Sequence, residues 1–325
     1  MRSLAALSEA RVLIILGPPR SFTTVVSAML GQHPQMYGLP ETHLFGAQTV
    51  ADWWGQCNQA TFNMDHGLIR VVAQLFFGEQ TEASVSRAAG WLWRRAHCTT
   101  GLIVEELANK VHPRILVDKS PSIVYRLESL QRVYSMFPQA RFLHLTRHPR
   151  GHGESVIKYL DGRRKLGPLP HTHWLLQLAA SPGLLAKDLE AGQIGSDIDP
   201  QRSWYALHMN IVEFLRSVPE EQKLRVRGED LVTDRDQGLA RIASWLGLCT
   251  DPEAIDEMRH PERSPYARYG PRGANFGNDR SFLRNPTLRP ERAKDHSLEG
   301  PVGWRKGGDG FLPEVKELAR EFGYE

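Results

Sequence analysis

A short run near the start of the sequence combines residue types that hold oxyanions. The run Gly17-Pro-Pro-Arg-Ser-Phe-Thr-Thr24 supplies a glycine, one fixed cation and three hydroxyl groups. Backbone N–H groups at a helix N-terminus attract anions, and the helix dipole adds to this attraction. The run therefore predicts a loop that binds phosphate or sulfate, provided that a strand precedes it and a helix follows. An ordinary strand-to-helix turn is the alternative.

The nearest general template for this run is the GxxxxGK[ST] loop, which cradles nucleotide phosphates. Phe22 stands at the second glycine of that template and Thr23 stands at its lysine. A loop without the lysine is poorly suited to ATP phosphates and magnesium. Arg20, inside the loop, supplies a fixed positive charge instead.

Two further segments carry arginines that are suited to anions. Arg147 follows a run of strand type, and Ser155 comes eight residues later. An arginine at the carboxyl end of a parallel strand lies where open α/β sheets bind ligands, although pairing with surface carboxylates explains it equally well. Residues 269–278 set Arg272 among three glycines, which let a backbone approach a ligand closely. On spacing alone, a surface loop is the better interpretation of that segment.

Hydrophobic patterning predicts the elements that would position these residues. Short apolar runs predict buried strands, and apolar residues at helical spacing predict the helices between them. The predicted strands are 12–16, 114–117, 141–146 and 224–226, and the predicted helices are 23–30, 122–137, 203–217 and 238–246, with helical patterning over 62–112. Alternating strands and helices predict an α/β fold, with an open parallel sheet flanked by helices as in P-loop proteins.

The length allows one large domain or two ordinary ones, and we expect a single domain over residues 1–325. Insertions at about 45–112 and 160–202 are expected to form a helical and loop cap over the substrate side, and residues 260–310 are expected to form a functional loop. Trp53, Trp54 and the apolar run 174–180 are candidates for a substrate pocket. Burial in the core explains these side chains equally well.

Composition narrows the possible partners and the compartment. Lys and Arg number 40 against 37 Asp and Glu, a net charge of +3, which argues against a protein that coats nucleic acid or an anionic membrane. Cys57, Cys98 and Cys249 are too far apart for a CxxC metal site. Glu9 and Arg11 interrupt any apolar leader. We therefore expect a cytoplasmic protein in a reducing compartment, with no bound metal.

Taken together, these motifs resemble the sulfotransferases that use 3′-phosphoadenosine-5′-phosphosulfate (PAPS). The run from Pro19 to Thr24 resembles the family's PRSGTT-like loop for the 5′-phosphosulfate, and Arg147 with Ser155 has the family's spacing for the 3′-phosphate. The segment 269–278, called the late loop below, resembles the family's C-terminal 3′-phosphate loop. The residues that the resemblance implies for donor binding are Pro19, Arg20, Ser21, Phe22, Thr23, Thr24, Arg147, Ser155, Arg272 and Gly273.

The resemblance is good over residues 11–160 and weaker over 203–280, and Phe22 departs from it because the family usually has glycine there. Tyrosylprotein sulfotransferases and bacterial polyketide-associated sulfotransferases are the most similar groups. The first group has a catalytic glutamate, followed directly by threonine, 21 residues after the loop arginine. Glu41-Thr42 has the same spacing from Arg20, and the group's catalytic lysine lies in a segment that Lys119-Ser-Pro121 resembles. His208 is similar to an active-site histidine of the second group.

The resemblance implies transfer of a sulfuryl group from PAPS to a hydroxyl by in-line displacement. Arg20 and Lys119 would stabilise the group in flight, and Glu41 would be the general base. His208 is the rival base, and we expect it to orient the acceptor. The acceptor would be a small or acyl-carrier-linked molecule with an apolar body, as in bacterial secondary metabolism. A P-loop nucleotide kinase-like phosphotransferase and a non-catalytic nucleotide-binding scaffold are the alternatives.

Overall fold

Five parallel strands form the centre of the protein in a computed structural model. The structure describes residues 11–59, 63–164, 199–287, 289, 296–305 and 308–325. The strands are β1 (Val12–Leu16), β2 (Met36–Gly38), β3 (Ile115–Asp118), β4 (Arg141–Thr146) and β5 (Lys223–Arg227). Their order in the sheet is β2-β3-β1-β4-β5, and every neighbouring pair is parallel.

Helices cover both faces of this sheet. In chain order they are α1 (Thr23–Leu30), α2 (Val50–Gln59), α3 (His66–Phe77), α4 (Glu82–Trp93), α5 (Thr100–Val111), α6 (Leu127–Met136), α7 (Pro149–Arg164), α8 (Pro200–Arg216), α9 (Gly228–Thr233), α10 (Arg235–Trp245), α11 (Pro252–Glu257), α12 (Arg280–Arg284) and α13 (Pro313–Glu321). The predicted α/β fold with an open parallel sheet is thereby confirmed.

The central strand β1 explains why its sequence is apolar throughout. It lies between β3 and β4, and all five of its residues are buried. Successive side chains point to opposite faces, so Ile14 belongs to the core cluster that includes α3, α5 and α8, whereas Leu13 and Ile15 belong to the cluster with α1 and α10. A strand buried on both faces has no polar side to present.

The predicted boundaries hold closely for β1, α1 and β4, and they fail where the pattern was short or interrupted. One helix was predicted over 122–137, but a 3₁₀ turn at Pro121–Tyr125 precedes α6, and Arg126 between them has an extended backbone. Strand β2 was not predicted because three residues give no detectable period. The four helices α2 to α5 lie between residues 50 and 111.

Residues 165–198, which include the apolar run 174–180 and most of the predicted second insertion, lie outside the described residues. Within the described ranges, no helix combines the length and the apolar character needed to cross a membrane.

Candidate functional site

The candidate anion loop lies where the sheet connections diverge. Strand β1 has β3 on one side and β4 on the other, so the chain segments that leave these three strands separate at their carboxyl ends. Ligands of open α/β sheets bind at such a point. The loop after β1, Lys119 after β3 and Arg147 after β4 therefore meet at one edge of the sheet.

The loop has an unusual backbone at two residues. Arg20 has φ 74° and Phe22 has φ 61°, both in the left-handed region, which costs a residue other than glycine about 1–2 kcal/mol. Glycine would adopt the conformation at position 22 without strain, which is a physical reason for glycine in the related loops. The ring of Phe22 lies 4.4 Å from the Arg147 guanidinium. It also packs closely on Gly228, since a methyl group at position 228 would lie 2.5 Å from the Phe22 ring. This packing offsets the strain.

The start of helix α1 is suited to an oxyanion. The helix begins at Thr23 and no side chain caps its first turn, so its leading N–H groups point toward the loop. Ser21 is fully buried, and its Oγ has no hydrogen-bond partner among the described residues. Because an unpaired buried hydroxyl is costly, the loop fits a ligand that carries acceptor oxygens.

Glu41 and Lys119 form the central ion pair of the site. The Lys119 ammonium donates to Glu41 Oε1 at 2.5 Å and to Thr24 Oγ1 at 2.9 Å, and only 1% of the lysine side chain is exposed. Burial by itself would raise the pKa of Glu41, but Lys119 and His43 more than offset it and lower that pKa to about 2. Glu41 is therefore a carboxylate at neutral pH, held next to both the loop and the buried cation.

Several contacts fix the backbone that carries Glu41. Its N–H donates to the carbonyl of Gly277 at 2.7 Å, and its own carbonyl lies so close to Gly67 that any side chain there would overlap it. Thr42 donates its hydroxyl to Asp118 at 2.8 Å. The strand end, the start of α3 and the late loop thus position the carboxylate together.

Arg147 and Ser155 both contact Arg20. Arg147 donates to the Arg20 carbonyl at 2.5 Å, and the Arg20 guanidinium donates to Ser155 Oγ at 3.2 Å. The structure therefore brings these three predicted residues together. Arg150, in contrast, donates to the carbonyls of Ser297, Glu299 and Pro301 and ties down the C-terminal segment.

Asp279 is a member of the site that the sequence analysis missed. Its carboxylate pairs with Arg20, and its Oδ1 also accepts the N–H of Ser281 at 2.8 Å at the start of α12. The Asp-x-Ser spacing is a signal for a helix cap. Nothing local connects it with Arg20, which lies 259 residues away in sequence.

Arg272 and Gly273 lie away from these contacts. Their backbone N–H groups donate to the carboxylate of Glu82 on α4, and both residues are exposed. Among the described contacts, none joins them to Arg147 or Ser155. Their role in holding a 3′-phosphate stays a prediction.

His208 lies in the interior on α8. It is fully buried and its Nδ1 is 2.9 Å from His144 Nε2 on β4. Burial, followed by the neighbouring His144, lowers its pKa well below the usual value. Trp53 and Trp54 belong to the main core cluster, and Trp53 donates its indole N–H to the carbonyl of Thr42 at 3.0 Å.

Comparison with known proteins indicates the family and the fold of the chain. The model of a family described as the sulfotransferase family matches residues 13–252. The solved sulfotransferase domain from the curacin biosynthetic pathway is 20% identical, with a TM-score of 0.72 over 97% of this chain and 98% of that chain. The sulfotransferase domain from the Synechococcus PCC 7002 olefin synthase is 25% identical, with a TM-score of 0.68 over 97% and 94%. No curated protein sequence matches this chain.

Proposed function

This chain belongs to the sulfotransferase family and is a sulfotransferase, and we propose that it transfers the sulfuryl group of PAPS to a hydroxyl of a small or acyl-carrier-linked acceptor. One observation carries the proposal. The anion loop after β1 accepts a hydrogen bond from a cation at the end of each neighbouring strand. Lys119 after β3 donates to the Thr24 hydroxyl, and Arg147 after β4 donates to the Arg20 carbonyl. The same loop is next to the ionised carboxylate of Glu41.

The charges in the loop fit a donor with several negative groups. Arg20, Lys119 and Arg147 supply three positive charges at one sheet edge, and the uncapped first turn of α1 adds its N–H groups. We propose that Ser21, Thr23 and Thr24 hold the 5′-phosphate through these N–H and hydroxyl groups. Arg147 and Ser155 would hold the 3′-phosphate.

In the proposed reaction, the acceptor oxygen forms a bond to sulfur while the bond between sulfur and the bridging phosphate oxygen breaks. Glu41 takes the acceptor proton, and Arg20 and Lys119 stabilise the charge that moves to the departing phosphate. Most of the rate enhancement then comes from positioning and electrostatics, as in phosphoryl transfer. These cations supply the charge that a metal ion would otherwise provide.

The ion pair between Glu41 and Lys119 links the two halves of this reaction. With its pKa lowered to about 2, Glu41 is ionised but is a weak base while Lys119 faces it. When Lys119 turns toward the developing charge on the phosphate oxygen, the carboxylate loses its nearest cation and its basicity rises. We propose that base strength therefore increases as the sulfuryl group departs.

The acceptor class rests on similarity and on the surroundings of Glu41. The two similar structures come from a curacin pathway and from an olefin synthase, which favours an acceptor in a biosynthetic sequence, including one linked to a carrier. Tyr125 lies near enough to Glu41 for the carboxylate to raise the tyrosine pKa further, after the larger effect of burial. An aromatic side chain in the neighbourhood of the base suits an acceptor with an apolar body.

Calorimetric titration tests the donor. We expect 3′-phosphoadenosine-5′-phosphate (PAP) to bind much more tightly than AMP or ATP with magnesium. Replacing Arg147 by methionine should remove most of the preference of PAP over AMP, because the charge assigned to the 3′-phosphate is lost. An Arg150→Met variant is the matched control, since the Arg150 guanidinium donates to three carbonyls of the C-terminal segment and lies over the Phe311 ring of that same segment. Preference for ATP with magnesium would favour the phosphotransferase alternative, and absence of nucleotide binding would overturn the proposal.

Asp279 offers a second test of the same site. Its carboxylate pairs with Arg20, and its own pKa stays low although burial and Glu41 oppose ionisation. An Asp279→Asn variant removes a negative charge from a site proposed for a polyanion, so we expect PAP to bind severalfold more tightly. Asp236→Asn, in a surface pair with Arg259, should leave the affinity unchanged. Weaker PAP binding by Asp279→Asn would contradict this expectation.

A further inference from the structure

Buried polar side chains lead from the edge strand β5 toward the anion loop. Arg225 on β5 donates its Nε–H to His144 Nδ1 at 3.3 Å, and His144 Nε2 lies 2.9 Å from His208 Nδ1. On the adjacent helix α7, His152 Nε2 lies 3.1 Å from the carbonyl oxygen of Pro19 in the loop. Each of the three histidines is at most 2% exposed.

The arginine end of this series determines two histidine tautomers. An arginine N–H can only donate, so His144 accepts at Nδ1 and carries its proton on Nε2. That proton is donated to His208 Nδ1, which leaves the proton of His208 on its own Nε2. His208 Nε2 is thus a buried donor, and it has no partner among the described residues.

The loop end determines the third tautomer in the same way. A carbonyl oxygen can only accept, so His152 donates from Nε2 to Pro19 and its Nδ1 is a bare acceptor. His152 Nδ1 is also buried and has no partner within the described ranges. The two unpaired nitrogens are therefore complementary, since one donates and the other accepts.

We propose that a single water molecule bridges His208 Nε2 and His152 Nδ1 and so completes a hydrogen-bond chain from Arg225 to Pro19. This hydrogen-bond chain makes His152 a positioning residue for the anion loop. The water accepts the proton of His208 and donates one of its own to His152. Two complementary buried groups are what an internal water needs, and its hydrogen bonds offset the cost of leaving them unpaired. Every hydrogen bond then points in one direction, from Arg225 to Pro19.

Packing and charge around the two nitrogens support the bridge. Helices α7 and α8 pack on each other, and Trp204, one turn before His208, donates its indole N–H to the Arg147 carbonyl at 2.9 Å. Burial is the main cause that lowers the pKa of His144, His152 and His208, so all three rings are neutral. After burial and His144, His152 also contributes to the lowered pKa of His208.

The hydrogen-bond chain also holds the backbone of the anion loop. His152 holds the Pro19 carbonyl, and Arg147 holds the next carbonyl, that of Arg20. These two hydrogen bonds fix consecutive peptide groups beside the left-handed Arg20. His152 therefore stabilises the conformation in which the N–H groups of the loop face a bound anion.

Two structural measurements test the bridge without any assay of function. Nitrogen-15 spectra of the histidine-labelled protein at pH 7 should show His144, His152 and His208 neutral and protonated on Nε2, with single His→Phe variants giving the assignments. A crystal structure should show one water within hydrogen-bond distance of both unpaired nitrogens. A proton on Nδ1 of His208, or a gap without water, would overturn the proposed chain.

The effect on the loop rests on the proposed donor and is tested by PAP binding. His152→Phe should weaken PAP binding about tenfold, the size of one lost hydrogen bond to a backbone carbonyl. His152→Gln, which keeps an N–H donor and an oxygen acceptor, should restore most of the affinity. His33→Phe is the matched control, because His33 is equally buried and bonds the Cys249 carbonyl instead.

The outcomes separate this inference from the proposed function. If His152→Phe and His33→Phe bind PAP equally well, or if glutamine fails to restore affinity to a folded variant, His152 is not a positioning residue. In assays of turnover, the His152 variants should raise KM for the donor and leave KM for the acceptor unchanged. If the unaltered protein binds no PAP, the proposed function fails. The tautomers and the bridging water still show, independently of PAP, whether the hydrogen-bond chain exists.

Discussion

Replacing Glu41 by glutamine is expected to lower kcat by about 10²–10⁴-fold, the usual contribution of a general base, while PAP binding is retained. Glutamine keeps the shape of the side chain and an oxygen that Lys119 can contact, but it cannot accept a proton. The carboxylate is ionised in the free enzyme because its pKa is about 2. The expected loss therefore concerns the chemical step and not the folding of the site.

The measurement is the initial rate of PAPS consumption with an acceptor found by screening hydroxy compounds and hydroxyacyl carrier conjugates. Calorimetric titration of the same variant with PAP separates binding from turnover. Glu106→Gln is a suitable control, since Glu106 lies on α5 and pairs with Arg95 at the surface. Turnover near that of the unaltered enzyme would remove Glu41 from the mechanism and leave the base to be sought elsewhere.

A Lys119→Met variant is expected to lose about 10²–10³-fold in kcat, the magnitude seen when one preorganised group that stabilises developing charge is removed. Methionine fills a similar volume but carries no charge. The substitution also removes the main partner that opposes burial at Glu41, so the pKa of Glu41 should rise.

This second effect gives the Lys119 prediction a distinctive pH signature. A base must be deprotonated to act, so kcat/KM falls as the pH drops through the pKa of the base. In the unaltered enzyme this fall in kcat/KM is expected near pH 2, whereas in Lys119→Met it should move upward toward neutral pH. Lys119→Arg restores the charge and should move the fall in kcat/KM back to lower pH. An unchanged pH profile in Lys119→Met would contradict the ion pair as the cause of the low pKa.

The strand and loop motifs were predictable because their signals are local. A five-residue apolar run followed by the loop and helix α1 identifies a βα unit from neighbouring residues alone, and β4 followed by Arg147 repeats the pattern. Parallel strands place their carboxyl ends at one edge. This rule is sufficient to predict that Arg20, Lys119 and Arg147 lie at a common edge of the sheet.

Other parts of the site could not be predicted because their partners are distant in sequence. Lys119 and Glu41 are separated by 78 residues and Arg20 and Asp279 by 259. No periodic pattern connects such residues. The left-handed backbone at Phe22 is equally inaccessible, since only the packing of its ring on Gly228 and Arg147 makes the conformation acceptable.

The sequence by itself determined the α/β fold and the order of its main elements, and it indicated a loop suited to an oxyanion, because hydrophobic period and loop chemistry act over a few residues. Only the tertiary structure decided how the charges are paired and which histidines are neutral. It placed His208 in the interior beside His144, and it placed the carboxylate of Asp279 on Arg20. Burial and the distance between charges set protonation, and both quantities exist only after the chain has folded.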